Sequence, residues 1–161
     1  MFLGFVLGLA SVWCLSEPLQ HMRAAVAHSA AWDVLSRQRH SWNEGDLEGF
    51  MNEYWKSDDL TFYSGGTVTK GWQATFDRYR KRYQAEGAEM GELEFTDIEV
   101  KVISHEAALA RGRWELTTSK GKPNGLFTLL LRKIDGRWKI VHDHTSAAEP
   151  PTPALPVPMN P

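Results

Sequence analysis

The chain has 161 residues and a single cysteine, Cys14. That excludes an internal disulfide framework and any zinc or iron–sulfur site built on several thiolates. Charge of one sign is also missing. Eighteen Lys and Arg face twenty Asp and Glu, a formal net charge of −2, so no global basic field exists for grasping nucleic acid. Long apolar runs are scarce. The longest ends near Leu15 and falls short of the ~20 residues that span a bilayer. Proline is nearly absent from the body: six of the eight lie in the last twelve residues, PPTPALPVPMNP. Proline fixes φ and lacks a donor, so this tail reads as an extended appendage rather than helix or central strand. No serine sits in an elbow motif, which excludes a serine triad of that type.

Residues 2–15 (FLGFVLGLASVWCL) are almost wholly apolar and read in two ways. One is a secretory core, implying a secreted or periplasmic protein. Against it, no Lys or Arg precedes the stretch, and the nearest small-x-small pattern is Ala25-Val26-Ala27. Trp13 beside Cys14 spoils a lipoprotein box. The other is an N-terminal extension ahead of a true start at Met22, implying a cytoplasmic protein. The expected layout is a signal peptide or N-terminal extension over 1–22, one domain over 23–147 and a disordered proline-rich tail over 148–161. One domain is what this length supports.

Inside the domain, Ala31, Val34/Leu35, Gln38 and Trp42 recur at helical spacing and predict a helix over 24–43. Asn43-Glu44-Gly45-Asp46 ends it. Asp46 is placed to cap a second helix over 47–55. Leu60–Ser64, Gly65-Gly66 and Thr67–Lys70 predict a hairpin. A third helix, 72–84, carries Trp72, Phe76, Tyr79 and Tyr83 as one stripe. Arg78, Arg80, Lys81 and Arg82 lie largely off it and read as a solvated face, with an Asp77–Lys81 pair, rather than a nucleic-acid patch. Long strands follow over 92–103, 106–118, 126–131 and 138–145. In the first, the apolar phase slips between Phe95 and Ile98, which predicts a bulge near Thr96-Asp97. The near-continuous apolar run Leu126–Leu131 predicts a strand covered on both faces. Helices first and strands last mean an α+β fold: a cone-shaped, curved antiparallel sheet with about three N-terminal helices across its concave face. A bent sheet of this kind leaves a cavity, expected to be closed and on the order of 300 Å³ or more if it serves a small molecule.

The stretches AWDVLSRQRHSWNEGDLEGFMNEYW, LTFYSGGTVTKGW, GRWELT and DGRWKIVHDHTS, in this order over about 31–146, resemble the SnoaL-like branch of the nuclear transport factor two-like (ketosteroid-isomerase-like, cystatin-like) superfamily. The ending Asp135–Ser146 is the most specific part. The branch is similar to the association (hub) domain of calcium/calmodulin-dependent protein kinase. That resemblance implies a pocket arginine at Arg113 and pocket aromatics at Tyr79 and Tyr83. Two further hub arginines fall on Leu129 and Thr145, and the hub histidine on Thr75, so its multi-arginine carboxylate pocket is not retained. Such folds host isomerases, cyclases, dehydratases and pure binding modules, so function has to come from the site.

Strand parity sorts the candidates. If Arg113 faces the cone, Glu115 does too. On the last strand Asp143 and Thr145 share one face, His142 and His144 the other. The resemblance puts Asp143 inside, while Trp138 and Ile140 argue that the other face is buried as well. Asp143, Glu115 and His144 are the candidates for proton transfer. A carboxylate in an apolar cone has its pKa raised toward neutrality. Arg113 would stabilise an anion, or simply pair with Glu115 or Asp143. Trp42, Tyr54, Phe62, Tyr63, Tyr79, Tyr83 and His142 are candidate ligand contacts. His142-x-His144 would need a third ligand from Glu115 or a partner chain to hold a metal, so neither metal nor cofactor is expected. The expected partner is a small organic ligand. The alternative is an assembly module, a homodimer through the convex face of the sheet with a vestigial pocket.

Overall fold

The computed structural model describes residues 16–148. The apolar stretch 2–15, with its export reading, and nearly all of the proline-rich end lie outside the described residues. The elements run α1 (Ser16–Asn43), α2 (Leu47–Asn52), β1 (Thr61–Ser64), β2 (Thr67–Lys70), α3 (Trp72–Tyr83), β3 (Glu92–Ser104), β4 (Ala107–Thr117), β5 (Asn124–Ile134) and β6 (Arg137–Ala147). The fold is α+β. Helix α1 begins eight residues ahead of the expected 24, so Met22 falls inside it. Among the described residues no helix is long and apolar enough to cross a membrane.

The local signals act as their chemistry dictates. Asp46 caps α2 by accepting from Gly49 N at 2.8 Å. Asp135-Gly136 turns β5 into β6 with both residues at positive φ, 49° and 78°. In β3 the register shifts between Thr96 and Glu99, and Asp97 takes φ 51° there. This bulge is the one the apolar phase slip predicts.

One sheet of six strands runs β2-β1-β6-β5-β4-β3. β3 to β6 form an antiparallel meander, but β1 lies parallel to β6, with Thr61 opposite His142. The sheet is therefore mixed, not wholly antiparallel as expected. A parallel pair needs a long connection; β2, α3 and β3 to β5 lie between these two strands.

All three helices cover one face. Ala31, Val34 and Leu35 of α1 and Leu47, Phe50 and Met51 of α2 pack with Ala108, Ala110, Leu129, Leu131 and Ile140 of the sheet, all buried. The two alanines of β4 give α1 room to lie close. Asn43 fixes the end of α1 to β3: its amide donates to Leu93 O at 3.1 Å and accepts from Leu93 N at 2.7 Å. The opposite face of β5 is less covered than the apolar run predicts. Phe127, Leu129 and Leu131 are buried, while Leu126 is 50% exposed and Leu130 half-buried.

Gly125 has a steric role in this sheet. A Cβ there would run into the Ser146 carbonyl and crowd the Trp114 indole at 2.9 Å. The missing side chain lets Trp114 reach across β5 and donate from Nε1 to Ser146 O at 3.0 Å. Gly125→Ala is expected to cost about 1–3 kcal/mol, as overpacking does. Urea unfolding checks it, and a midpoint equal to wild type would contradict the clash.

Candidate functional site

Where the sheet curls away from the helices, a hollow of about 100 Å³ remains. It is open on one side and smaller than the closed cavity of ~300 Å³ expected for a small-molecule site. Its floor is buried: Asp143, Tyr54, Phe127 and Leu129. Its mouth is marked by the exposed Arg82, Ser146 and Ala147. Trp42, Phe62, Tyr79 and Tyr83, expected as ligand contacts, line the wall together with Tyr54.

Asp143 reaches the floor through a bulge. Leu130 pairs with His142 but Leu131 pairs with Ile140, so Val141 is an extra residue in β6. Before it, the even residues Trp138 and Ile140 face the core; after it, the odd residues Asp143 and Thr145 do. Both halves of the parity conflict in the sequence are satisfied, one on each side of Val141. The bulge sits where α2 runs into the sheet. Ile140 donates to Glu53 O at 3.0 Å and accepts from Trp55 N at 2.9 Å. That pairing also carries Tyr54 over the floor.

Asp143 is 2% exposed. The Tyr54 hydroxyl donates to its Oδ2 at 2.7 Å and the Thr145 hydroxyl to its Oδ1 at 2.6 Å. Burial pushes its pKa up to about 6; the two hydroxyls and the charge of His144 pull the other way and do not win. The hydroxyls of Tyr54 and Tyr79 are raised well above the usual phenol value, chiefly by burial and then by the Asp143 charge, so both stay protonated. Tyr54→Phe removes one donor from the ionised carboxylate. It is expected to raise the Asp143 pKa by about one further unit, read from the carboxyl carbon in a ¹³C NMR titration. No upward shift would mean that Tyr54 does not stabilise the charge.

Five expected residues do not enter the pocket: Arg113, Glu115, His142, His144 and Tyr63. β4 presents Gly112, Trp114 and Leu116 to the helices, so Arg113 and Glu115 point out the other side. Arg113 donates from Nε to Asp97 at 3.1 Å with its side chain 59% exposed, and Glu115 meets Lys122 at 3.3 Å. The reason is ordinary: burying Trp114 and Leu116 outweighs burying two charges. His142 and His144 also lie on the outer face, with Tyr63 packed edge-on to both rings. His142 Nδ1 shares a hydrogen bond of 2.6 Å with Thr61 Oγ1, and burial lowers its pKa. Thr75, at the hub histidine position, spends its hydroxyl on Gly71 O in the first turn of α3. Among the described residues no cluster of three His, Cys, Asp or Glu is placed to hold a metal.

The basic cluster of α3 is not wholly a solvated face. Arg78 and Arg82, four apart and each preceding a tyrosine of the stripe, flank the mouth. Arg78 donates to Thr69 Oγ1 at 2.9 Å and to Ser64 O at 3.1 Å and lies 5.0 Å over the Phe62 ring. Asp77 accepts from Gln73 at 3.1 Å instead of pairing with Lys81. Sequence reasoning passed over a third lining residue, Gln38, although it is the one polar member of the α1 stripe.

The sequence pattern of the SnoaL-like domain matches residues 34–150. The chain belongs to the SnoaL-like domain family. No curated protein matches this SnoaL-like chain. Among solved structures it is similar to an NTF2-like protein of unknown function from Shewanella oneidensis, at 42% identity over 73% of this chain and 97% of that one, with a TM-score of 0.69. An NTF2-like protein of unknown function from Pseudomonas putida is 20% identical over 78% and 89%, with a TM-score of 0.65. A protein from Novosphingobium aromaticivorans, provisionally named a scytalone dehydratase, is 14% identical over 80% and 89%, with a TM-score of 0.62. The last two likenesses speak for the fold alone. The SnoaL-like pocket here is built from α1, α2, α3 and the inner faces of β1 and β3 to β6.

Proposed function

We propose that this SnoaL-like domain is a cofactor-free acid–base enzyme acting on a small organic molecule, of isomerase, cyclase or dehydratase type. One observation carries the reading: Asp143 is a carboxyl on the floor of an apolar, open-mouthed pocket, with a pKa of about 6. That is the range in which a group both takes and returns a proton at neutral pH. In the step this supports, ionised Asp143 removes a proton from the carbon beside a carbonyl. The C–H electron pair becomes a C=C bond, and the carbonyl oxygen takes the negative charge. Protonated Asp143 then returns the proton to a carbon of the enolate, which restores the base. Tyr54 and Thr145 hold the carboxylate in place between the two transfers.

The test is exchange of α-protons for deuterium in D₂O, followed by NMR over a panel of small cyclic ketones. Wild type is expected to exceed Asp143→Asn by about 10²-fold or more. Equal rates for the two across the panel would overturn the reading.

The assembly reading draws support from the outer face. Leu126, Leu130 and Tyr63 present apolar surface on the sheet side away from the helices. Light scattering on the full chain tests it. A mass twice that of the chain supports a homodimer, and a monomer at all concentrations removes it.

A further inference from the structure

The inner stripe of α1 runs Ala27, Ala31, Val34, Leu35, Gln38 and Trp42, every member 2% exposed or less. Five are apolar. Gln38 is 1% exposed and is one of the residues that line the pocket. Its Nε2 is the one buried side-chain nitrogen or oxygen among the described residues that no partner reaches.

Several of the neighbouring polar groups are spoken for. Tyr54 and Thr145 donate to Asp143, Trp42 Nε1 to Met90 O at 3.1 Å, Trp114 Nε1 to Ser146 O, and Arg78 to Thr69 and Ser64. A leucine or methionine would fill the position of Gln38 in the stripe without leaving an enclosed amide unmatched. Buried donors are normally satisfied, and a break in local consistency of this kind marks functional positions.

The chemistry of the spare group selects its partner. An uncharged amide N–H matches a neutral acceptor oxygen. An anion in the hollow would be repelled by ionised Asp143 on the same floor. The apolar lining of Trp42, Phe127 and Leu129 suits an apolar body, and the space fits about one ring. We propose that Gln38 is a substrate-binding residue whose Nε2 donates to the carbonyl oxygen of a neutral, ring-sized molecule seated between α1 and the sheet. This deepens the acid–base reading and rests on it for the chemistry: the donor faces the oxygen that gains charge as Asp143 removes the proton, and so binds the enolate more tightly than the ketone.

The experiment uses the full chain with cyclohexanone and with benzene, a ring of similar size without an acceptor. Cyclohexanone is expected to move the Gln38 side-chain amide protons downfield in the wild-type ¹⁵N–¹H spectrum; benzene is not. In Gln38→Met, cyclohexanone affinity is expected to fall about tenfold, the worth of one hydrogen bond, with benzene affinity kept within about twofold. An unmoved Gln38 amide, equal cyclohexanone affinity in the two proteins, or parallel loss of both rings would each overturn the assignment. The deuterium exchange separates the two readings. Ketone binding through Gln38 without Asp143-dependent exchange sinks the acid–base chemistry and leaves this assignment standing. Asp143-dependent exchange that Gln38→Met leaves unchanged does the reverse.

Discussion

Asp143→Asn is expected to make the protein more stable at pH 8 while stopping proton transfer. The sign follows from linkage. The carboxyl has its pKa raised from 3.8 unfolded to about 6 folded. Below about pH 4 both states hold the proton, and the site contributes no pH dependence. Between about 4 and 6 the unfolded chain has lost the proton and the folded chain has not, so stability falls by about 1.4 kcal/mol per pH unit. Above 6 the fold carries a buried carboxylate at a total cost of about 3 kcal/mol. Asparagine removes that charge. It also turns one NH₂ toward a hydroxyl that used to donate, so the net gain at pH 8 is about 1–2 kcal/mol. For a chain of this size that is a rise of a few degrees in Tm. Melts of wild type and variant at pH 4, 6 and 8 check it, because only their difference isolates this one site from other titrating groups. A difference that stays flat with pH, or a variant less stable at pH 8, would show that the carboxyl is not held in an apolar setting. Stability bought by losing the reactive group is a familiar mark of a functional position.

Trp42→Ala is expected to have the largest effect on folding, a loss of about 3–5 kcal/mol, a large share of the ~5–15 kcal/mol that holds such a domain together. Trp42 is 2% exposed and meets Phe50 at 5.0 Å, Tyr83 at 4.8 Å and Tyr79 at 6.2 Å, all edge-on. It therefore joins α1 to α2 and α3 in one contact. Alanine would also leave Met90 O without its indole donor. The same ring forms part of the pocket wall, so its removal enlarges the hollow. Added indole is then expected to raise the Tm of the variant and leave wild type unmoved, as a ligand that binds only the enlarged native state would. A Tm within about 1 °C of wild type, small against the ~2–4 °C expected per kcal/mol, would show that the aromatic junction carries little of the stability.

Much of the scaffold was legible. The hairpin, the Asp135-Gly136 turn, the α3 stripe and the phase slip at Thr96-Asp97 are local signals, and local chemistry decides them. The site was harder because strand parity is a global property. Along Arg111 to Leu116, charged residues alternate with Gly112, Trp114 and Leu116; that period alone places the apolar set inside. Following the hub resemblance at Arg113 against this alternation put Arg113 and Glu115 on the side they do not occupy. In β6 the two conflicting readings were both right, in different halves of the strand. A conflict of phase is what a bulge looks like in sequence, as β3 shows. Gln38 was visible as the polar member of an apolar stripe. The size and openness of the hollow were not legible, because they depend on how Trp42, Trp114 and the tyrosines interlock.

The extra residue at Val141 makes the chemistry of the cone a matter of reading frame along one strand. Were β6 to run straight through Val141, with no residue extra, strict alternation beyond Ile140 would turn the acid outward and bring the imidazoles toward the interior, with every helix left as it is. The same side chains could thus offer the hollow a basic reagent in place of an acidic one by losing the bulge alone, without inventing a new side chain.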